Sequence, residues 1–180
     1  MKIFFATMLV SGMMFTGCGL LGDDDDAEPS STLKASATSS KDGVVYNVTG
    51  PDQGAYDLLK GEGVSLTSPN ASKDIADGEA EDFTTKFFTA NGAYFIEDIE
   101  GLTYSTSAGE VADFSVEFED VASDETAALE VGDVVIVLLN EDRGATAELA
   151  LIEITAVTED SDADTNDGSI EFKYKLIDID

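Results

Sequence analysis

Oxygen-bearing side chains alternate along a short stretch near the C-terminus of this 180-residue chain. The residues at every second position are Asp160, Asp162, Asp164 and Asn166. Ca²⁺ requires several hard oxygen ligands that converge on one cation, so this spacing makes these residues a candidate calcium site. An EF-hand loop needs glycine at its sixth position, which would fall at Thr165 or Asp167, so neither register fits. Two interpretations stay open: weak calcium binding in a loop, and a solvated acidic connection between two strands.

The composition lacks the histidine of the common nucleophile–base pairs. The chain has no His and a single Cys, Cys18, so neither a Ser–His nor a Cys–His pair can form. Paired carboxylates could still hydrolyse a glycosidic bond. However, there is no Trp to stack on a sugar ring, and no carboxylate pair stands out. The sequence therefore predicts that this protein is not an enzyme.

Aromatic side chains cluster around a predicted turn in the middle of the chain. They are Phe87, Phe88, Tyr94 and Phe95. The turn contains Asn-Gly at 91–92, which supplies the positive φ angles of a tight hairpin and predicts that strands 83–89 and 93–99 pair. The aromatic side chains of such a hairpin either line an apolar ligand pocket or pack the core.

The charge of the chain excludes one class of partner. There are 38 Asp and Glu against 9 Lys and Arg, which gives a formal net charge of -29. A polyanion is repelled by nucleic acid phosphates and by an anionic bilayer surface. Hydrophobic residues still make up 43% of the chain, which is enough to fold one domain. We expect a single folded domain with no nucleic-acid partner.

The N-terminal residues are typical of an export signal. Lys2 precedes an apolar run at 3–15, which is long enough for a signal-peptide core and short for a membrane span. We expect residues 1–17 to be a cleaved signal peptide. Residues 18–42, rich in Asp, Ser, Thr and Ala, are expected to form a flexible tether that carries the lipidated cysteine. The globular domain is then expected at 43–180.

Residues 15–18, Phe-Thr-Gly-Cys, resemble the lipobox of bacterial lipoproteins, with Phe where that family prefers Leu. The resemblance implies that Cys18 is acylated, and two or three acyl chains anchor a protein durably to a membrane. Gly19 resembles the corresponding residue of lipoproteins sent to an outer membrane. The four aspartates at 23–26 resemble the acidic export signal of surface-exposed lipoproteins of Bacteroidota, although they could equally keep the tether solvated. A lipid-anchored, surface-exposed location on the outer membrane is therefore expected.

Short β-branched and aromatic runs, separated by Gly, Asn and Asp, predict an all-β domain that is mostly antiparallel and forms a sandwich or barrel. The predicted strands are 44–48, 55–59, 83–89, 93–99, 112–118, 133–139, 145–157 and 169–177. Residues 120–129 are Ala-rich with early acidic residues, which predicts one short helix. Within 145–157 the apolar phase slips after Leu151. We expect either a β-bulge near 151–152 or a strand buried on both faces.

Two parts of the domain resemble the HmuY-type surface lipoproteins of Bacteroidota, a mostly-β family with haem-capturing members. Residues 56–59 (Tyr-Asp-Leu-Leu) and 73–76 (Lys-Asp-Ile-Ala) resemble an early element of that family, although Lys73 stands where the family has Trp. The segments that resemble its closing strands are 132–137, 148–154 and 168–174. The resemblance implies a surface-anchored module that captures a small ligand. The alternative is a structural or adhesion lipoprotein that meets another envelope protein.

Haem is disfavoured by the composition. Haem iron is usually held by His, Met, Cys or Tyr, but His is missing and Cys18 is expected to be acylated. The methionines all lie in the expected signal peptide: Met1, Met8, Met13 and Met14. The side chains that remain are Tyr46, Tyr56, Tyr94, Tyr104 and Tyr174. We nominate none of them as a haem ligand and expect no firm cofactor, with Ca²⁺ as the candidate ion.

Overall fold

The clearest alternation of apolar and polar side chains lies at the C-terminus, and it forms the longest strands of the protein. In the computed structural model, β9 (Ala147–Thr158) and β10 (Ser169–Ile179) pair antiparallel along nearly their whole length. The structure describes residues 34–47, 49–50, 53–69, 72–77, 84–90, 92–140, 147–161 and 166–180. The strand predicted at 169–177 is confirmed, with its inward-facing side chains all buried: Ile170, Phe172, Tyr174 and Leu176.

The larger of the two sheets has six antiparallel strands. On one side of β10, β9 pairs with β8 (Val134–Leu138), which pairs with β7 (Tyr94–Ile96). On its other side, β10 pairs with β2 (Lys41–Tyr46) and, nearer its end, with β1 (Ala35–Ala37). The folded part therefore begins before the predicted boundary at Gly43. Residues 1–33, with the predicted signal peptide and most of the predicted tether, lie outside the described residues.

The second sheet has four short strands. In spatial order they are β4 (Glu62–Val64), β3 (Ala55–Asp57), β5 (Ile75–Ala76) and β6 (Phe88–Thr89). An extended bridging segment, residues 123–126, links the sheets: Ser123 pairs with Phe95 of β7, and Glu125 pairs with Phe88 of β6. The described strands are thus antiparallel and lie in two open sheets. The all-β prediction is confirmed, and of its two forms the sandwich is the one observed.

The inner core lies between the two sheets and is rich in aromatic side chains. Phe172 occupies its centre, where its ring meets Tyr56 edge-on at 5.3 Å and Phe87 edge-on at 5.6 Å. The rings of Tyr56 and Tyr174 also meet edge-on, at 6.0 Å. Edge-to-face contacts stabilise aromatic pairs beyond the burial of their area. Gly43 of β2 lies opposite Phe172, and this close approach leaves no room for a side chain at position 43.

The opposite face of the larger sheet is covered in part by α1 (Ala108–Glu117). The helix residues Val111 and Ala112 are buried against the sheet residues Ile136, Leu149, Leu151 and Ile177. The central strands are thus buried on both faces. Of the two explanations for the phase slip within 145–157, a strand buried on both faces is therefore confirmed. The register shifts of β9 lie beside Glu148 and Thr155, so the bulge predicted near 151–152 is wrong.

Residues 112–118, predicted as a strand, belong mostly to α1, so that prediction is wrong. A capping box starts the helix: Glu110 N donates to Ser107 Oγ at 3.3 Å, and Ser107 N donates to the Glu110 carboxylate at 3.1 Å. These bonds satisfy donors that a helix start otherwise leaves unpaired. Phe114 and Phe118, which suggested alternation, are also four residues apart, and their rings pack at 6.3 Å on the helix.

Residues 120–129, predicted as the helix, are extended apart from a 3₁₀ turn at Glu119–Val121, so that prediction is also wrong. Thr126 N donates to Phe87 O at 3.0 Å, and Phe87 N donates to Thr126 Oγ1 at 3.0 Å. Leu129 is buried in the inner core. These tertiary hydrogen bonds and this burial outweigh the weak helix propensity of an Ala-rich segment.

The hairpin predicted around Asn91 and Gly92 does not form, because β6 belongs to the small sheet and β7 to the larger one. Gly92 has a φ of +73°, so the chain does turn there. Ala90 N donates to Asp74 O at 3.0 Å, which holds the incoming strand in the small sheet. Asn91 lies outside the described residues. The turn therefore connects two sheets instead of two paired strands.

Candidate functional site

The described half of the candidate calcium site is a hydrogen-bonded turn. Asn47 Nδ2 donates to Asp160 Oδ2 at 2.8 Å and approaches Asn166 Oδ1 at 3.4 Å. Asn47 is completely buried, so these bonds fasten the connection between β9 and β10 to the end of β2. Asp162 and Asp164 lie outside the described residues. Calcium binding here stays a prediction, and Asp160 has a structural role in the connection.

The aromatic cluster predicted to be pocket or core divides between buried and exposed positions. Phe87 and Phe95 are buried in the inner core, and their rings stack at 6.4 Å. Phe88 is half-buried, and Tyr94 is 48% exposed on β7. The two fully buried rings agree with the core interpretation, since neither presents a face to solvent.

The residues that carry the family resemblance near Tyr56 close a turn in the small sheet. Leu58 N donates to Asp74 Oδ2 at 2.8 Å, and Lys60 N donates to Asp57 Oδ1 at 3.0 Å. Lys60 Nζ also lies 3.0 Å from Asp57 Oδ2. Both carboxylates are buried, and buried charges need such bonds to offset the loss of hydration. These residues therefore stabilise the fold.

Two tyrosines considered as haem ligands lie in the inner core. Burial is the largest cause that raises the pKa of both Tyr56 and Tyr174. Tyr56 OH donates to Asp42 O at 3.1 Å, and Tyr174 OH donates to Leu58 O at 3.0 Å. Both phenols therefore keep their protons at neutral pH and donate them in hydrogen bonds to backbone carbonyls of the fold.

A groove of about 260 Å³ opens where β7 ends and β8 begins. Its charged side chains are Glu97, Asp98 and Asp133. The apolar residues that line it are Ile99, Leu102, Ala127, Ala128, Val134 and Val135. We call this site the Glu97 groove. It combines carboxylates with an apolar floor, and it is the candidate functional site of the described residues.

Backbone hydrogen bonds hold the carboxylates of the Glu97 groove in place. Ala127 N donates to Glu97 Oε1 at 2.8 Å, which ties the chain after β7 to the extended run beyond Thr126. Glu130 N donates to Asp133 Oδ2 at 2.7 Å. Asp98 has a φ of +59°, a left-handed conformation that Asp adopts more readily than most residues. The carboxylates therefore sit on a constrained backbone.

The electrostatics of the groove centre on Glu97. Burial has the largest influence and raises the pKa of Glu97, whereas the hydrogen bond from Ala127 N lowers it. The negative charges of Asp98 and Asp133 raise that pKa further, whereas Lys86 lowers it. A carboxylate in this position is stabilised by anything that neutralises its charge, either a proton or a bound cation.

The chemistry open to this arrangement is the binding of a cation with an apolar stem. Lys and Arg place their methylenes on apolar surface while the charged head meets carboxylate oxygens. Within the described part of the chain, no three side chains of His, Cys, Asp or Glu are placed to hold a metal ion. The groove offers carboxylate oxygens on separate side chains beside an apolar floor, an arrangement that suits an organic cation.

Sequence analysis missed the Glu97 groove because its residues look ordinary in so acidic a chain. Glu97 and Asp98 follow one strand, and Asp133 precedes another that is distant in sequence. Only the pairing of β7 with β8 brings them together. The signal that could have found them was the presence of acidic residues at the facing ends of two predicted strands, 93–99 and 133–139.

Comparison with known proteins gives no family model, no curated protein and no solved structure that matches this chain. The resemblance to HmuY-type lipoproteins therefore stays a prediction. Cys18 lies outside the described residues, and its lipidation also stays a prediction. None of the helices in the described ranges is long and apolar enough to cross a membrane.

Proposed function

We propose that this chain is a lipid-anchored, surface-exposed lipoprotein of the outer membrane whose β-sandwich binds another protein of the cell envelope. The anchor is supported by the position of Cys18 directly behind the apolar run at 3–15. The strong acidity of everything after Cys18 supports a domain that stays off an anionic lipid surface. The lipid anchor and the sandwich then have separate roles, attachment and binding.

The burial of Phe87 and Phe95 is the observation that carries the choice of a protein partner. These rings were the candidate lining of an apolar ligand pocket, and Phe87 packs instead against Phe95 and Phe172. Small-molecule sites are concave and predominantly apolar. The Glu97 groove is instead lined by carboxylates over a small apolar floor, which suits the side chains of a protein surface.

The Glu97 groove lies away from the point where the described chain begins. The described chain enters at Lys34, whose carbonyl accepts a hydrogen bond from Asp180 N at 2.9 Å at the far end of β10. Gly132 N, beside the groove, donates to Ile154 O, and Ile154 pairs with Phe172. The groove thus lies about 25 Å along the strands from the chain entry.

Capture of a small ligand is the second candidate function. It is favoured by a groove of about 280 Å³ on the part of the larger sheet beyond α1, lined by Asp42, Gly43, Val44, Tyr46 and Glu171. Tyr46 supplies an aromatic side chain there, and carboxylates again stand at the edge. Haem stays disfavoured because, of the usual ligand types, this groove offers only Tyr46.

The anchor is tested by expressing the full chain in a Bacteroidota host with a palmitate label. We expect the wild-type protein to carry the label, to fractionate with the outer membrane and to be digested by protease added to intact cells. Cys18→Ser should lose the label and leave the membrane, whereas the matched variant Thr16→Ala keeps a small residue before the cysteine and should behave as wild type. An unlabelled wild-type protein in the soluble fraction would disprove the anchor.

The two binding functions are separated on intact cells with a zero-length cross-linker that joins carboxylates to amines. A protein partner predicts a discrete adduct with a single envelope protein. Titration of the purified, processed protein with haemin is the complementary measurement, and we expect no shifted Soret band. A clear Soret shift without any adduct would favour ligand capture over the proposed interaction.

A further inference from the structure

We propose that the Glu97 groove docks a Lys or Arg side chain from a basic segment of the partner protein. This inference rests on the proposed function, since it names the chemistry of the partner that the sandwich binds. The groove joins three features: carboxylates held by backbone bonds, an apolar floor, and a position away from the chain entry.

Charge complementarity selects a basic occupant. The chain has 38 acidic and 9 basic residues, so its field attracts cationic segments and repels a second copy of itself. Lys86 is the basic residue that lowers the pKa of Glu97, and its Nζ lies 3.5 Å from the Glu125 carboxylate, which partly neutralises it. The groove therefore presents net negative charge to an approaching partner.

The floor of the groove fits the stem of a long basic side chain. Ile99 and Leu102, which also pack against the apolar residues between α1 and the larger sheet, reach into the lining, and Val135 comes from the inner core. Next to the lining residue Gly132, Val131 is 66% exposed, so apolar surface continues outside the groove. A basic segment that also carries apolar residues could bury this surface while its charged head meets the carboxylates.

The arrangement favours a guanidinium or ammonium head over a metal ion. Ca²⁺ needs six to eight oxygens at about 2.3–2.6 Å, and the carboxylates of this groove are not a set of three placed to hold an ion. An ammonium or guanidinium head instead binds through hydrogen bonds to separate oxygens, so it tolerates carboxylates that are spread around a rim.

Binding is tested with the processed, detergent-solubilised lipoprotein and a fluorescent peptide of alternating Arg and Leu. The groove variant is Glu97→Gln/Asp98→Asn/Asp133→Asn, which keeps an acceptor oxygen at each position and removes the charges. The control variant, Glu117→Gln/Glu148→Gln/Glu159→Gln, removes the same charge from exposed residues outside both grooves. We expect the groove variant to bind about tenfold more weakly than wild type, and the control variant to stay within about twofold.

Several outcomes overturn the inference. Equal weakening in the two variants would show that the peptide follows net charge and not this groove. Displacement of the peptide by Ca²⁺ but not by Mg²⁺ at matched ionic strength would assign the groove to a metal ion. Wild-type protein that is lipidated and surface-displayed but binds no peptide would also overturn it, while leaving the anchor intact. A protein that fails the lipidation test would disprove the proposed function instead.

A second measurement locates the peptide even if the groove variant folds poorly. Cys18 is the chain's only cysteine and is expected to be acylated, so an added cysteine is the sole reactive thiol. Ala128→Cys carries a benzophenone label at the groove, and Thr67→Cys carries it at an exposed position outside the lining. Cross-linking to the Arg-Leu peptide is expected from Ala128→Cys and should be several-fold weaker from Thr67→Cys. Equal yields would contradict the groove as the docking site.

Discussion

The two faces of the larger sheet are built for different tasks, although the same strands supply both. Towards the small sheet, β10 presents a continuous buried row: Ile170, Phe172, Tyr174 and Leu176. Towards the helix, the same strand presents Glu171, Lys173, Lys175, Ile177 and Ile179. α1 packs where that row becomes apolar, beside Ile177. The inner face is therefore buried along its whole length, whereas the outer face is divided between apolar packing and charged side chains.

The charged half of the outer face is organised by a tyrosine. Lys173 Nζ and Lys175 Nζ lie 4.6 and 5.4 Å from the centre of the Tyr104 ring. Lys173 Nζ also lies 2.9 Å from Glu153 Oε2 on the neighbouring strand. These contacts are made within the domain, whereas the carboxylates of the Glu97 groove are the ones that we propose meet a partner. The comparison between the faces thus separates residues that fold the domain from residues that could bind.

The largest expected effect comes from deleting the centre of the inner face. Phe172→Ala removes the ring that contacts Tyr56, Phe87 and Tyr174, and it should reduce the free energy of unfolding by about 3–5 kcal/mol. The control is Glu171→Ala, one position earlier and on the opposite face, which should change it by about 0.5 kcal/mol or less. Urea unfolding measures both. Similar losses would show that the two faces are not energetically distinct.

Filling the close approach on the inner face should have the next largest effect. At Gly43 an added Cβ would lie 2.5 Å from one Phe172 ring atom and 2.6 Å from another, so Gly43→Ala should destabilise the protein by about 1–3 kcal/mol. Phe172→Leu should reduce the extra loss when the two changes are combined. A double-mutant cycle measures this coupling. Strictly additive losses would mean that the two residues do not touch.

On the outer face, the start of α1 can be tested through its capping box. Ser107→Ala removes the side chain that accepts the Glu110 N–H and should reduce stability by about 1 kcal/mol. Ser107→Asp supplies another good cap and should restore most of that loss. Hydrogen exchange of α1 amides and urea unfolding report the change. If Asp proved no better than Ala, the cap would not be what starts this helix.

The smallest expected effect is a pH dependence at the groove. Because burial raises the pKa of Glu97 above its usual 4.5, the folded state holds this proton more tightly than the unfolded chain. The stability it contributes is therefore complete below the usual pKa and is lost as pH rises through the folded-state pKa. Glu97→Gln has no proton to lose, so its Tm relative to wild type should rise from about pH 4 to about pH 7.

The control for this pH dependence is Val116→Ala, an exposed change that carries no titratable group. Its Tm difference from wild type should be the same at both pH values. A relative Tm for Glu97→Gln that falls with pH would contradict the direction of the Glu97 shift.

Strand existence was predictable from the sequence wherever burial imposed one simple pattern. The run at 133–139 and the alternation at 169–177 both became strands of the larger sheet. The phase slip after Leu151 was visible too, and its cause is that α1 buries Leu149 and Leu151 from one side while the small sheet buries Ala150 and Ile152 from the other. In these segments the side-chain pattern and the burial agree.

The helix and the extended bridging segment were exchanged in the sequence-based prediction, for an identifiable reason. Phe114, Val116 and Phe118 alternate as a strand would, but the Ser107–Glu110 capping box just upstream starts a helix through them. Residues 120–129 have the better helix propensity, yet backbone bonds to Phe87 and Phe95 hold the start of this stretch extended. Propensity differences of a few tenths of a kcal/mol per residue cannot compete with several tertiary hydrogen bonds.

The two candidate sites also differ in how much of each could be recognised from the sequence. Asp160 and Asn166 were found by their spacing, and the structure uses them to fasten a connection through Asn47. Glu97 and Asp133 carried no such spacing, because the strands that bring them together are far apart along the chain. Local patterns locate residues that act on their neighbours in sequence, whereas a site built across strands depends on register.

The sequence by itself determined that this is a strongly acidic, all-β chain without the histidine of a Ser–His or Cys–His pair, because charge and the period of apolar residues can be read directly from the order of residues. The expected acylation of Cys18 and the tether before Lys34 also come from sequence alone and await their tests. Only the tertiary structure decided which face of each strand is buried, where α1 lies, and which carboxylates line the Glu97 groove. Those outcomes depend on contacts between distant residues, and their free energies exceed the local preferences that a sequence displays.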